Sequence, residues 1–402
     1  MLVLGLALPA CKPPAPAIAP APETPITPTP VVAEPEPSKP PVLRVGPFRR
    51  ESPILFQPSD THAVIEPVTK AVRGWASSRD GATRVEIGCS KGVRVIDGAG
   101  ARTIGKTADH VAIANDGSDV AHEQAGKIRH GPKDALAIDG TNATFLDGGV
   151  LVFRRGCAWF AGSDAQPLGE SCGTPIRVER DHARLWLAEV DPPSKDPEGR
   201  ERKAVRAVVG LEPNAPAIRV ELVDGGPMYG ATLSADASIL CATFDEAGHD
   251  VLQCRLREGG VFERVAKDVF GTPMFADDAP RMVFTVGDRT HPPRDLHLVD
   301  FTHKIIRKLG RIAHHRIEFL PGAEHVVAYD GARGLVFELD TGLVTAFGEE
   351  SDDWVALAGA AQRGSFLASR LRRQCAQLVR VRLPDRDSGS AATDTTDATS
   401  EG

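Results

Sequence analysis

Short alternating apolar runs dominate the chain from about Val42 to Pro384. Each run has four to seven residues, is rich in β-branched side chains and is bounded by Gly, Asp, Asn or Pro, as in TRVEIG, GVRVIDG, ARLWLAEV, RMVFTV and GLVFELD. Helical periodicity is nearly absent. This pattern predicts many short strands and therefore an all-β sandwich, barrel or propeller.

A repeated signal separates these architectures. A turn of small and acidic residues followed by an apolar strand recurs at eight markers: Asp80, Asp116, Asp147, Asp181, Asp236, Asp278, Gly322 and Ala360. The steps between them are 36, 31, 34, 55, 42, 44 and 38 residues. A period near 40 residues favours a β-propeller of four-stranded blades. The markers predict seven or eight blades, because the short steps from Asp116 to Asp181 allow two of them to merge. The longest step contains the charged segment 191–203, which predicts an inserted loop.

Two segments carry a family resemblance. GLVFELDTGLV at 334–344 and DLHLVDF at 295–301 resemble the third strand of TolB-like and WD40-like propeller repeats, which ends in an aspartate and often a Thr-Gly turn. The resemblance covers residues 70–384. The WD dipeptide is absent after the third strand, which favours the TolB-like group. The resemblance implies a fold and leaves the activity open, since propellers host unrelated functions.

The first residues predict export and anchoring. Leu2–Ala10 is apolar but too short to cross a bilayer, and Leu8-Pro9-Ala10-Cys11 resembles the lipobox of bacterial lipoproteins, whose cysteine is acylated. We therefore expect a signal peptide and anchor over 1–11. The alternative is an untargeted N-terminus with an incidental cysteine. Residues 12–41 contain 12 prolines and predict a disordered stalk, reaching about 90 Å at about 3.1 Å per residue. The propeller is then expected over 42–384, and a disordered tail over 385–402.

Six cysteines remain for disulfides in an oxidising compartment. A symmetric hairpin turn about Ala247-Gly248 places Cys241 opposite Cys254, close enough for a bridge. Cys157 and Cys172 flank a second candidate hairpin. Cys89 and Cys375 are left for each other or free, and adjacent blades could hold them beyond disulfide reach. Small buried thiols are the alternative.

No common catalytic or cofactor motif is present, so we predict no catalytic, metal-binding or cofactor-binding residues. The histidines of HPPRDLHLVDFTH, at 291, 297 and 303, are too widely spaced for one strand face, and we expect them to be separate. Turn aspartates, a group comprising Asp116, Asp147, Asp236, Asp277 and Asp278, are expected to bond their own backbone. The predicted innermost strands offer few ionisable residues, namely Asp236, Asp277, Arg316 and Glu318.

Charge and composition limit the partners. The net charge is −7 with scattered basic residues, which disfavours nucleic acid, and the 5% aromatic content disfavours carbohydrate binding. The leading hypothesis is a lipid-anchored, non-catalytic binding or scaffold module of the bacterial cell envelope, facing the periplasm or the cell surface, with an envelope protein or polymer as partner. A hydrolase or lyase with a channel site and a small-ligand sensor subunit are the alternatives.

Overall fold

The computed structural model describes residues 44–384 apart from 91, 132–136, 180–181, 192–193, 196–200, 203, 223–227, 289, 314–316, 331–332, 350–352, 359–363 and 373–374. The chain divides between residues 41 and 42. Cys11, the predicted stalk and the predicted tail lie outside the described residues. The described part is all-β, and it contains no helix long and apolar enough to cross a membrane.

Within the described residues, eight groups of four antiparallel strands form the blades of a β-propeller, and the first and last groups share one long strand in a seven-stranded sheet. The blades are numbered here in chain order of their innermost strands. Blades 1 to 4 are built from β3 (Val64–Ser77), β4 (Arg84–Gly88), β5 (Val93–Asp97), β6 (Gly100–Gly105); β7 (His110–Ile113), β8 (Val120–Gln124), β9 (Lys127–His130), β10 (Ala137–Asp139); β11 (Thr141–Phe145), β12 (Leu151–Arg155), β13 (Ala158–Ala161), β14 (Gln166–Glu170); and β15 (Thr174–Val178), β16 (Leu185–Val190), β19 (Val205–Leu211), β20 (Ile218–Glu221).

The second half of the ring repeats this order. Blades 5 to 8 are built from β21 (Met228–Leu233), β22 (Ile239–Glu246), β23 (His249–Leu256), β24 (Gly259–Lys267); β25 (Val269–Phe275), β26 (Arg281–Val286), β27 (Arg294–Asp300), β28 (Ile305–Ile312); β29 (Ile317–Phe319), β30 (His325–Asp330), β31 (Arg333–Glu338), β32 (Leu343–Phe347); and β33 (Asp353–Ala358), β34 (Ser365–Arg372), β35 (Cys375–Arg382), with the first part of β3 as fourth strand. The charged segment 191–203 carries a small hairpin, β17 (Ser194–Lys195) and β18 (Glu201–Arg202).

The core lies between neighbouring blades. Trp159 of blade 3, for example, packs with Leu187 and Val209 of blade 4 in one buried cluster. Because both faces of a blade are covered, the second strand of a blade is buried almost continuously, as in β16, where the first five side chains are buried. A strand covered on both faces loses the polar alternation of a half-exposed one.

The six sequence markers within the described residues are confirmed as one per blade. Each of the six within the described residues lies in the turn from the innermost to the second strand; Asp181 and Ala360 lie outside those residues. In most of these turns the first residue donates its N–H to the carbonyl five residues on, as Ser234 does to Ile239 at 3.0 Å. Blade 3 uses a turn one residue shorter, from Leu146 to Val150. Asp147 is therefore the second residue of its turn, whereas the other markers within the described residues are third.

The ring is closed by β3, which belongs to two blades. Its first part pairs with β35 of blade 8, from Val64 opposite Arg382 to Val72 opposite Ala376. Its second part pairs with β4 of blade 1, beginning at Val72 opposite Gly88. A disulfide between Cys89 and Cys375 joins the two partner strands at this crossing, with a Cα–Cα distance of 6.4 Å, so these cysteines are within reach after all.

A buried carboxylate reinforces the same junction. Glu86 of β4 is fully buried and accepts hydrogen bonds from Thr69 Oγ1, Arg84 Nε and an Arg94 Nη, each at 2.8 Å. Thr69 lies in the part of β3 that belongs to blade 8, so this one carboxylate connects the first and last blades. Three donors compensate the desolvation of the buried charge.

The other two disulfides are local. Cys241 and Cys254 lie directly opposite each other in the β22–β23 hairpin and are bonded, with Cα atoms 4.1 Å apart. Cys157 and Cys172 are bonded across the base of the β13–β14 hairpin. Together the three disulfides account for every cysteine after Cys11.

An outer strap, residues 44–59, runs along the rim before β3 begins. Two short strands, β1 (Arg49–Arg50) and β2 (Gln57–Pro58), pair in parallel with the outermost strands of blades 6 and 7. Phe48 and Phe56 anchor the strap by edge-on ring contacts with Phe301 and Phe337, at centroid distances of 5.6 Å and 5.1 Å. The sequence pattern did not predict this strap.

Candidate functional site at the channel mouth

The turns between innermost and second strands surround one end of the central channel. The second residue of this turn lines a common cavity of about 430 Å³ in five blades, through Arg79, Asn115, Asp147, Ala235 and Asp277. The end of β15 in blade 4 completes the wall. A cavity of this size at the axis of a ring lies within the usual range for a ligand or side-chain pocket.

An ion pair crosses this mouth. Arg79 of blade 1 pairs with Asp278 of blade 6, and Asp278 also accepts the backbone N–H of Gly322 in blade 7 at 2.7 Å. One carboxylate therefore connects three blades. The side chain of Arg79 is 37% exposed, so its guanidinium remains accessible from the cavity.

A second pair reaches the neighbouring aspartate. An Arg177 Nη of blade 4 lies 2.7 Å from Asp277 Oδ1 of blade 6. Arg177 is mostly buried, whereas the Asp277 side chain is 69% exposed. Asn115 of blade 2 donates to Asp147 of blade 3 at 3.3 Å. The mouth thus presents charged and amide groups that are held by contacts between different blades.

Glu179 supports the mouth from behind β15. It is buried and accepts hydrogen bonds from an Arg184 Nη at 2.9 Å and from Trp186 Nε1 at 2.8 Å. Arg184 and Arg257 lie against the Trp186 ring, at 5.8 Å and 5.0 Å from its centroid. These contacts fix the backbone that positions Arg177, two residues before Glu179.

The turn aspartates divide into two groups. Asp116 and Asp236 accept the backbone N–H two residues on, from Ser118 at 2.9 Å and Ser238 at 3.1 Å, as predicted for turn residues. The Ser118 hydroxyl and backbone lower the pKa of Asp116. Burial alone would raise the pKa of Asp236, but hydrogen bonds from Ser234 and Ser238 outweigh it and the pKa is lowered. These carboxylates stabilise their own turns.

The other three turn aspartates make contacts that the sequence did not predict. Asp147, Asp277 and Asp278 bond residues of other blades at the channel mouth. Asp277 was expected both at a turn and beside the channel, and the structure places it in a turn that lines the channel mouth.

The three histidines of 291–303 are separated, as expected. His297 is buried in the middle of β27, where its ring stacks on Phe284 at a centroid distance of 5.4 Å. Burial lowers the pKa of His297 to about 4, with Arg50 and Lys308 acting in the same direction and Asp295 opposing them. His291 and His303, in loops before and after the strand, pair with Asp288 and Asp300. No cluster of three or more metal-ligating side chains occurs within the described residues.

Glu318 is not among the residues that line the mouth; it lies half-buried in β29. Arg316 falls outside the described residues. The sequence reasoning missed Arg79, Asn115 and Arg177. A usable signal was present for the first two, since each directly precedes a marker aspartate; Arg177 has no comparable signal because it lies within β15.

Comparisons with known proteins identify the fold. No protein-family model matches the sequence, and no curated protein matches it significantly. The structure is similar to the crystal structure of a eukaryotic initiation factor, with a TM-score of 0.51 and 9% identity over 77% of this chain and 84% of that chain. It is also similar to the WD40 domain of SCAP from fission yeast, with a TM-score of 0.51 and 10% identity over 80% of this chain and 98% of that chain. These likenesses show that the chain has a β-propeller fold similar to that of a WD40 domain.

Proposed function

We propose that this chain is a non-catalytic binding module of the bacterial cell envelope, which uses the channel mouth to hold a partner protein. The observation that carries the proposal is the pair of arginine–aspartate contacts across the mouth. Arg79 and Arg177 belong to blades 1 and 4, yet both meet the adjacent Asp277 and Asp278 of blade 6. Such partly exposed pairs can exchange with charged side chains of a partner, which gives specificity without a chemical step.

The electrostatics of the described residues do not favour a carboxyl general acid. A general acid needs a carboxyl pKa raised towards neutrality, whereas every carboxyl with a shifted pKa in the described residues is shifted down. The exposed Asp277 and Asn115 offer a rim of hydrogen-bonding groups on rigid turns. Rigid turns on a closed ring suit recognition, because little conformational entropy is lost on binding.

The envelope location is part of the proposal. Acylation of Cys11 would tether the chain, and the proline-rich segment 12–41 would hold the ring away from the membrane. The resemblance of the repeat pattern to TolB-like propeller repeats is also part of this proposal. Three disulfides in the ring are typical of an exported protein.

Site-specific cross-linking in intact cells tests the mouth. A photoreactive residue at Asn115 should capture one discrete envelope protein. Asp277→Lys, which reverses an exposed charge at the mouth, should reduce that capture at least fivefold. Asp139→Lys is a matched control, because Asp139 is similarly exposed on β10, away from the mouth. Single alanine changes at Asp236, His297 and Glu318 should leave the capture intact.

Two outcomes contradict the proposal. Equal capture by the Asp277→Lys and Asp139→Lys variants would show that the mouth is not the binding surface. Turnover of a substrate by the purified ring, abolished by Glu318→Ala in a folded protein, would favour the channel-site hydrolase or lyase instead.

A further inference from the structure

The outer strap and the residues that follow it, as far as the start of β3, fill successive grooves on the rim with regularly spaced apolar side chains. The grooves between blades 5 and 6, 6 and 7, and 7 and 8 receive the pairs Val45 and Phe48, Ile54 and Phe56, and Ala63 and Ile65, respectively. The spacing from one pair to the next is eight or nine residues. The rim is therefore built to receive an extended chain that delivers one apolar pair per groove.

The groove between blades 6 and 7 shows how this is done. Its walls are the outermost strand of blade 6, at Ile305 and Arg307, and the turn between the third and fourth strands of blade 7, at Leu339 and Asp340. Ile54 of the strap enters the groove and donates its N–H to the carbonyl of Lys308 at 3.0 Å. Before this point the strap pairs in parallel with β28 of blade 6, and after it with β32 of blade 7.

The groove between blades 4 and 5 has the same construction. Its walls are the outermost strand β20, over Ile218–Glu221, and the equivalent turn of blade 5, at Arg257–Gly259; the cavity is about 420 Å³. Ile218 is 36% exposed there. Within the described residues β20 pairs only with β19, so its outer backbone edge has no neighbouring strand.

The strap's spacing provides no side chain for this groove. The first described strap residues already contact blade 5, where Arg44 lies 3.3 Å from Glu263, and the groove between blades 5 and 6. One further step of eight or nine residues reaches Glu36–Pro40, which contains no large apolar residue. The sequence repeat of apolar pairs thus does not extend to the step that would correspond to this groove.

We propose that the groove between blades 4 and 5 docks an extended segment of a partner protein. The segment runs parallel to β20, adds a strand to its edge and places a large aliphatic or aromatic side chain against Ile218. The argument is continuity with the strap, which binds the same construction two blades further on. Backbone hydrogen bonds would supply affinity, and contact with Ile218 and Val220 in an otherwise charged groove would supply specificity, as in other strand additions. The neighbouring charges are already paired, as Arg219 is with Glu189 at 2.7 Å.

A peptide with the strap's own sequence is the probe. We would label residues 51–59, ESPILFQPS, with a fluorophore and measure anisotropy against the full chain. Saturable binding is expected, and Ile218→Glu should weaken it at least tenfold. Val261→Glu is the matched control, because Val261 is 47% exposed on the next outermost strand and outside the groove lining; it should change binding less than twofold. A peptide with serine in place of Ile54 and Phe56 should not bind.

Three results would overturn this proposal: no saturable binding, equal binding by the Ile218→Glu variant, or a photoreactive peptide that cross-links to β28 instead of β20. A photoreactive group at residue 218 that captures the chain's own N-terminal segment would overturn it as well, since that would make the occupant internal. The inference rests on the chain being a binding module, but Asp277→Lys should leave peptide binding unchanged. A failure here is therefore distinguishable from a failure at the channel mouth.

Discussion

Removing the disulfide between Cys89 and Cys375 should destabilise the protein more than removing the hairpin disulfide between Cys241 and Cys254. The first bond closes a loop with a sequence separation of 286 residues, the second one of 13 residues. In the chain-entropy model, disulfides that close loops of these lengths stabilise the folded state by about 5.5 and about 3 kcal/mol, respectively, at room temperature. The expected difference is therefore about 2.5 kcal/mol.

Urea unfolding of two double variants measures this difference. The ring variant replaces Cys89 and Cys375 by serine, and the hairpin variant replaces Cys241 and Cys254 by serine. Tryptophan fluorescence is a suitable probe, because Trp159 and Trp186 are fully buried in the native ring. The ring variant should unfold at the lower urea concentration. Its m-value should rise more than that of the hairpin variant, since an unfolded chain freed from the large loop exposes more surface.

The result that refutes this reasoning is equally specific. If the ring variant loses no more free energy of unfolding than the hairpin variant, the pairing of β3 with β35 holds the ring closed without help from the disulfide. Peptide mapping of the unreduced protein that finds Cys89 free would contradict the pairing itself, and finding Cys241 free would contradict the hairpin register.

Three further predictions follow from single groups. Glu86→Gln should lower the free energy of unfolding by about 3 kcal/mol, because the buried donors around residue 86 lose the carboxylate charge that they bond. Glu66→Gln, at an exposed ion pair, should lower it by less than about 1 kcal/mol in the same urea titration. The unfolded chain protonates His297 below about pH 6.5, whereas the folded state does not until about pH 4. The free energy of unfolding should therefore fall by up to about 3 kcal/mol as the pH is lowered from about 6.5 to about 4. His297→Phe should flatten this pH profile, and His62→Gln at an exposed site should not. Cys11→Ser should release the protein from membranes or block its processing, and a variant that stays membrane-bound and correctly cut would contradict the anchor.

The features that were predictable from the sequence are local ones. A turn of six residues and its flanking strands lie within one stretch of chain, so each small or acidic marker within the described residues identifies one blade. The same holds for Cys241 and Cys254, whose register follows from the symmetric hairpin around them. The marker at Asp147 was one residue out of register, because the blade 3 turn is shorter than the others.

The channel mouth could not be predicted in the same way. Arg79 and Asp278 are 199 residues apart, and only closure of the ring brings them together. The strap could not be predicted for another reason. Its strands β1 and β2 have two residues each, and a strand that short shows no alternation of apolar and polar residues. Aligning the repeats and comparing the residue before each marker would have singled out Arg79, Asn115 and Asp277, but would not have revealed their partners.

The closure of the ring by β3 also determines the order in which the protein can be completed during synthesis. The strap and the first part of β3 leave the ribosome early, but their partners β28, β32 and β35 come at the end of the domain. For most of translation these N-terminal strands have no edge to join, and unpaired strands are prone to pair with other chains. The last blade cannot be finished until the first strand returns to it, so the ring closes only after almost the whole domain has been synthesised.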